Sequence, residues 1–406
     1  MNSTQNNYIN LSESGLLPQE ELLDIKKSNL QMVIGVLKET CDSEHRVALV
    51  PEAVNLLVRN GYRILVESNA GMQAHFSNQE YVEAGADIVE NSGSIFANSD
   101  ILLRISPLSY SEVDLLKQNQ TIISALHPTT QTQEYFKKLA EKKAIAIAFE
   151  LVQDQSNSYP IVRAVSEIAG NTSILIAAQY LSDIKYGKGN MLGGFSGITP
   201  TEVVILGAGT VGEYAARAAM GLGAMVKIFD NNIYKLRRLQ ENLNARVFTS
   251  IIQPKILLKS LRTAHVLIGA IHSNHGLSPV VVSEEMVQEM KSCSVIIDVS
   301  IDQGGCIATS HPTTHSDPVF QYAGITHYCV PNIASRVPHT ASYALSNYLA
   351  PIVLNICESG GTEWFIKSDP YFRKGIYVFK GFFTNRVICE MYQLPHQDID
   401  LITYSW

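Results

Sequence analysis

The chain has 406 residues, 46% of them hydrophobic, and a formal net charge of −7 at pH 7. That length supports two domains or three; the acidic balance argues against nonspecific nucleic-acid binding, and no apolar run approaches the ~20 residues that span a bilayer. The polar start MNSTQNNYINLSESG lacks a signal-peptide core, so a cytoplasmic protein without a membrane partner is expected.

Residues 1–31 read as a polar leader with one short helix, Pro18 to Lys27. The apolar run 32–36 reads as a strand. Glu44-His45-Arg46 follows closely, and loops at the carboxyl ends of parallel strands are where ligands bind. Arg46 there could clamp a carboxylate bidentately; by position alone a surface arginine is the more ordinary reading. Residues 51–60 read as a helix, with Pro51 in the first turn and Gly61 past the end. Residues 63–67, 101–106, 121–126 and 144–151 read as strands, with a helix over 134–142. Strands alternating with helices imply a parallel sheet covered on both faces. His127 ends one of these strands. An imidazole titrates near working pH, which makes His127 a candidate general acid or base, with a structural loop histidine as the alternative.

A long helix over 162–181 leads through a Gly-rich loop, 187–197, into residues 201–230. There the apolar run Val203-Val204-Ile205-Leu206 meets Gly207-Ala208-Gly209-Thr210-Val211-Gly212. A small-residue helix and a second strand ending in Asp230 follow. Each part has a role in holding a dinucleotide: Gly207 for the tight turn, Gly209 for close approach of the pyrophosphate, Gly212 for close packing of helix on strand. The helix start offers free N–H groups and partial positive charge to the phosphates. Asp230 can accept hydrogen bonds from ribose hydroxyls and would repel a 2′-phosphate. NAD is therefore expected over NADP, the more so because no basic residue follows before Lys235.

Further strands are expected near 246–248, 265–271, 294–299 and 327–330, and a helix over 340–358 kinked at Pro351. Asp302 stands beyond one of these strands, before Gly304-Gly305. It is a candidate for the nicotinamide end of the site, or else an Asx-turn residue. His272 and His275, and His311 and His315, have helical metal-ligand spacing but lie in loops without an acid or thiol partner; no metal site is expected. The fold expected is α/β: two Rossmann-like domains with parallel sheets, the nucleotide domain inserted in the substrate domain. Its parts are a first substrate segment 1–160, an NAD-binding segment 161–338, and a second substrate segment 339–406 whose aromatics pack back on the first.

These residues add up to a pattern. GVLKE…EHRVALVPEAV, SEIAG at 166–170, ILGAGTVGEYAARAAMGLGA, DVSIDQGGC and HYCVPN leading to VPHTASYALSN resemble the alanine dehydrogenase family, which also holds the alpha subunit of proton-translocating transhydrogenase. The likeness runs from about residue 32 to 347. It implies NAD-dependent, reversible oxidative deamination of L-alanine to pyruvate and ammonia, by a homo-oligomer that is often a hexamer. It also implies roles: Arg46 for the substrate carboxylate, His127 and Asp302 in catalysis, Ser166 and Asn332 at the cofactor, Asp230 at the ribose. Alternatives are a transhydrogenase alpha-type NAD(H)-binding subunit or a catalytically impaired paralogue. Two departures stand out. The family's substrate-binding lysine, in a K-V-K-E-P motif, is absent here; Ser106 takes its place in Arg104-Ile105-Ser106-Pro107. Side chains at i and i+2 share a strand face, so Arg104 is expected to reach the carboxylate beside Arg46. The family's loop P-G-A-K-A-P is here Asn274-His275-Gly276-Leu277-Ser278-Pro279.

Overall fold

A computed structural model describes residues 32–273 and 276–404. The expected helix over 18–27, and Asn274 and His275 of the loop, lie outside the described residues. Among the described residues, fifteen strands form two sheets. The first is built from β1 (Val33–Val36), β2 (Arg63–Glu67), β3 (Asp87–Val89), β4 (Ile101–Leu103), β5 (Thr121–Ser124) and β6 (Ile145–Ala148). The second holds β7 (Glu202–Leu206), β8 (Met225–Phe229), β9 (Phe248–Ser250), β10 (Val266–Gly269), β11 (Val295–Asp298), β12 (Val319–Tyr322) and β13 (Ile325–Tyr328). The chain then returns to the first sheet with β14 (Ile376–Phe379) and β15 (Phe382–Phe383), giving the order β15-β14-β6-β5-β4-β1-β2-β3. The second sheet runs β12-β13-β11-β10-β7-β8-β9.

Strand alternation explains why such short apolar runs are buried on both faces. Ile101 and Leu103 enter one core of the first sheet and Leu102 the other. Val203 and Ile205 face one core of the second sheet, Val204 and Leu206 the other. Both sheets are mostly parallel. The exceptions are β12 on β13, β14 on β6, and β15 on β14, all antiparallel. In each sheet the strand order reverses beside the first strand: β1 lies between β4 and β2, and β7 between β10 and β8. Crevices at such switch points, outside the carboxyl ends of the strands, are where ligands bind.

Two long helices join the sheets. Pro160–Ser182 links β6 to the second sheet, and Pro338–Glu358 leads back. The first, at 23 residues, is long and apolar enough to pass for a membrane span, which corrects the expectation that no such run exists. Its packing is that of a core helix. Gly170 comes so close to helix Thr210–Gly221 that a Cβ there would lie 2.5 Å from the Val211 carbonyl oxygen. The returning aromatics pack as expected: Phe372, Tyr377, Phe379 and Phe383 are buried against the first sheet.

Candidate active site

Beyond β1, residues 44–50 run along the returning helix and are pinned to it from the backbone. Val47 N–H donates to Ser342 Oγ (3.0 Å) and Val50 N–H to Ser346 Oγ (3.1 Å). This holds Arg46 inside the protein. Its Nε donates to Glu44 Oε1 (2.7 Å) and its Nη2 to Glu44 Oε2 (2.6 Å). The pair is almost wholly buried, with side chains 8% and 6% exposed. Burial opposes ionisation of Glu44, but the Arg46 charge and its hydrogen bonds prevail and hold the carboxyl below its ordinary value. Glu44 Oε2 also accepts from Asn332 Nδ2 at 2.8 Å. One carboxylate thus ties the arginine of the first sheet to a residue beyond β13.

His127 follows β5 in a left-handed conformation (φ 41°, ψ 60°). A non-glycine residue there is strained by ~1–3 kcal/mol, a cost met mostly at functional sites. Asp302 comes from the 3-10 turn Val299–Gln303, which follows β11. The strand ends at Asp298, one residue sooner than expected, and Asp298 turns its carboxylate inward to accept from Ser300 N–H and Cys306 N–H (both 3.1 Å). Gly305 (φ 86°) is required beside it: a Cβ there would lie 2.9 Å from Asp298 Oδ2. Asp302 Oδ1 accepts from Asn332 N–H at 2.8 Å. His127 and Asp302 are both exposed to solvent in the open cleft, and the surrounding protein desolvates them in part. That lowers the imidazole from its ordinary value, only partly opposed by Asp302, and raises the Asp302 carboxyl, opposed by the Asn332 hydrogen bond and by His127.

Arg46, His127 and Asp302 line one cavity of about 330 Å³, together with Ser166, Val211 and Asn332. A second recess of about 130 Å³ adjoins it, lined by Gly207, Gly209, Asp230, Lys235 and His272. The residues here fit a dinucleotide. Gly207 (φ 104°) turns the chain where a Cβ would lie 2.2 Å from the Ala270 carbonyl oxygen. Gly212 allows no Cβ either, since it would fall 1.9 Å from Gly207 O. At Gly209 a Cβ would meet nothing within 4 Å, so this face of the turn is open, and Thr210 begins the helix directly after it. Asp230 is fixed by Ala208 N–H on Oδ2 (2.8 Å) and Asn232 N–H on Oδ1 (2.7 Å). Each oxygen keeps a lone pair for a ribose hydroxyl.

Arg104 is a correction. It lies one residue past β4, fully buried, and its guanidinium is bound elsewhere: Nη1 to Glu112 Oε1 (2.7 Å), Nη2 to Glu112 Oε2 (3.1 Å) and to the Pro107 carbonyl, Nε to the Ser106 carbonyl (3.2 Å). Neither Arg104 nor Ser106 lines the cavity. The Ser106 amide donates to Glu39 Oε2 (3.2 Å) instead. Backbone pairing carries on past β4, with Arg104 N–H to the Ile123 carbonyl (3.2 Å) and Ala125 N–H to the Ile105 carbonyl (2.8 Å), but an acid eight residues on captured the guanidinium. Arg104→Ala should therefore leave the Michaelis constant for alanine unchanged and lower stability by about 3 kcal/mol, the low end for a broken buried pair, because Glu112 stays 20% exposed. Urea unfolding beside steady-state kinetics checks both halves.

Residues 35–169 match the family description "Alanine dehydrogenase/PNT, N-terminal domain", and residues 173–386 match "Alanine dehydrogenase/PNT, C-terminal domain". The chain belongs to the alanine dehydrogenase/PNT family. Alanine dehydrogenase of Methanococcus maripaludis is 37% identical over 366 residues, covering 90% of this chain and 98% of that one. Alanine dehydrogenase 2 of Staphylococcus aureus is 34% identical over 370 residues, 91% and 99% of the two chains. Among solved structures, an L-alanine dehydrogenase superposes with a TM-score of 0.84 at 34% identity, covering 89% of this chain and 99% of that one. A transhydrogenase from Sinorhizobium meliloti (TM-score 0.74, 21% identity, covering 87% and 99%) shares the fold.

Three residues that shape this family member's site escaped the sequence reading. Glu44 stood in the quoted motif but was not given the role of Arg46's partner; an acid two residues before a buried arginine was the available signal. Asp298, a charge inside an apolar strand, was equally visible. Glu150, at the end of β6, carried no local mark. Of the histidines considered for metal, His311 stacks on Phe320 (ring centroids 3.7 Å apart) and His315 lies beside His45 (5.3 Å).

Proposed function

We propose that this enzyme catalyses the reversible, NAD-dependent oxidative deamination of L-alanine to pyruvate and ammonia. The supporting observation is the meeting of Arg46, His127 and Asp302 around one cavity that Ser166, Val211 and Asn332 also line. Glu44 occupies Nε and Nη2 of Arg46, so Nη1 is the donor available for the substrate carboxylate. Asp302 sets a negative charge where the oxidised carbon–nitrogen unit becomes cationic. His127, neutral at pH 7 because its pKa is lowered, takes the proton of the attacking water and returns it as the carbinolamine collapses. When bound, the nicotinamide ring supplies the hydride acceptor for the alanine Cα. The pyrophosphate would lie against Gly209 and the start of the helix from Thr210, and the adenosine ribose against Asp230.

Alanine-dependent appearance of NADH absorbance tests this reading; a chain that binds NADH but shows no such turnover would instead support an NAD(H)-binding subunit or paralogue. NADH is expected to bind at least about tenfold more tightly than NADPH, a gap of ~1.4 kcal/mol, because Asp230 faces the ribose. Asp230→Ser should narrow the gap in a fluorescence titration, and tighter NADPH binding by the unaltered protein would remove the NAD assignment. The assembly is proposed to be a homo-oligomer, hexameric as the family resemblance implies.

A further inference from the structure

Glu150 is a buried carboxyl that the proposed chemistry leaves unused. It sits on the 3-10 turn Phe149–Leu151 at the end of β6 and reaches the wall of the cavity that holds His127. Its Oε1 accepts the amide proton of Leu126 at 2.7 Å. Its Oε2 is buried with no hydrogen-bond partner, and among the described residues no cation pairs with it. Leu126 is the residue before His127, whose left-handed backbone is strained. Among the described residues no hydrogen bond holds the imidazole ring itself. The aim of the ring is therefore set by the peptide beneath it, which Glu150 grips on one side while Thr130 bonds the His127 carbonyl on the other (N 3.1 Å, Oγ1 2.9 Å).

We propose that Glu150 is a positioning residue for His127, acting through the hydrogen bond that its Oε1 accepts from the Leu126 amide. The inference rests on His127 being the acid/base of the proposed reaction. Burial without a cation raises the Glu150 carboxyl to about 7, so a protonated carboxyl is accessible near neutrality. The ionisable groups around it are Tyr377 of β14 behind and His127, Arg46 and Asp302 across the cavity. A proton on Oε2 leaves Oε1 free to accept, an arrangement that the amide of glutamine reproduces at the same length.

The test compares three variants. Glu150→Gln keeps length and acceptor without a charge and should retain kcat near that of the parent. Glu150→Asp keeps the carboxyl but is one methylene short, and Glu150→Leu keeps only volume. Both should lose about 10- to 100-fold in kcat, the scale of a catalytic group misplaced by ~1 Å, with NADH binding unchanged. Full kcat in Glu150→Leu, or an active Asp variant beside an inactive Gln variant, would overturn the proposal. If Glu150→Leu no longer binds NADH, the Gln and Asp pair still decides. Diethyl pyrocarbonate labelling of His127, followed by peptide mass spectrometry, reads the imidazole without turnover. Its rate should match the parent's in Glu150→Gln and differ in Glu150→Asp. A protein that lacked alanine activity would defeat the functional reading while leaving this labelling comparison to judge Glu150.

Discussion

His127→Ala should lower alanine turnover by about 10²- to 10⁴-fold, the usual worth of a placed general acid/base, with NADH binding preserved. The residue stands on the first sheet's side of the cleft, and the turn from Gly207 to Gly212 and Asp230 belong to the second sheet. Loss should thus fall on kcat and kcat/KM alike and leave the cofactor titration unmoved. The pH dependence follows from the lowered imidazole. Oxidative deamination needs the neutral ring, so its rate should hold through neutrality and fall as pH drops below that depressed pKa. In the pyruvate-to-alanine direction the protonated ring is wanted, and the acid side should be favoured. Near-normal turnover in His127→Ala would make the residue a strained loop histidine and nothing more.

Arg46→Ala should be costly twice over. It removes the cation for the substrate carboxylate, worth about 2–5 kcal/mol, or roughly thirty- to several-thousand-fold in kcat/KM. It also leaves Glu44 buried against Asn332 without its counter-charge, which should destabilise the fold by about 3–5 kcal/mol. The two costs separate in a double variant. Arg46→Ala with Glu44→Gln should regain much of the stability, since the orphaned charge is gone, and none of the activity. Urea unfolding and alanine kinetics on the single and double variants check this. Arg46→Lys should fall between, keeping charge but losing the two-pronged hold.

Much of the site was legible because its residues stand at the ends of strands whose apolar runs are unmistakable. Arg46 and His127 follow β1 and β5, and Asp230 is the first residue past β8. What hid was of two kinds. β3 is a three-residue strand with exposed or half-buried side chains, and β12 is similar. Their pairing is decided by neighbours rather than by any run of their own. Arg104 failed for a different reason. The face argument is silent on competing partners, and the guanidinium finds Glu112 and two carbonyls within a few residues. Glu150 was hidden because its partner, the Leu126 amide, lies 24 residues away on the neighbouring strand.

The last strand pair also orders events in time. β14 closes the edge of β6 across Ile145, Ala146 and Ile147, yet it is made only after the whole second sheet has left the ribosome. Until then β6 is an open edge, with unpaired N–H and C=O groups ready to pair with another chain. The second sheet has all its strands within residues 202–328 and is complete first, as domains made in one piece tend to be. A chain broken off before residue 376 would thus carry a finished dinucleotide fold joined to a sticky, half-closed partner. For this architecture, translational truncation is an aggregation hazard rather than a simple loss of activity.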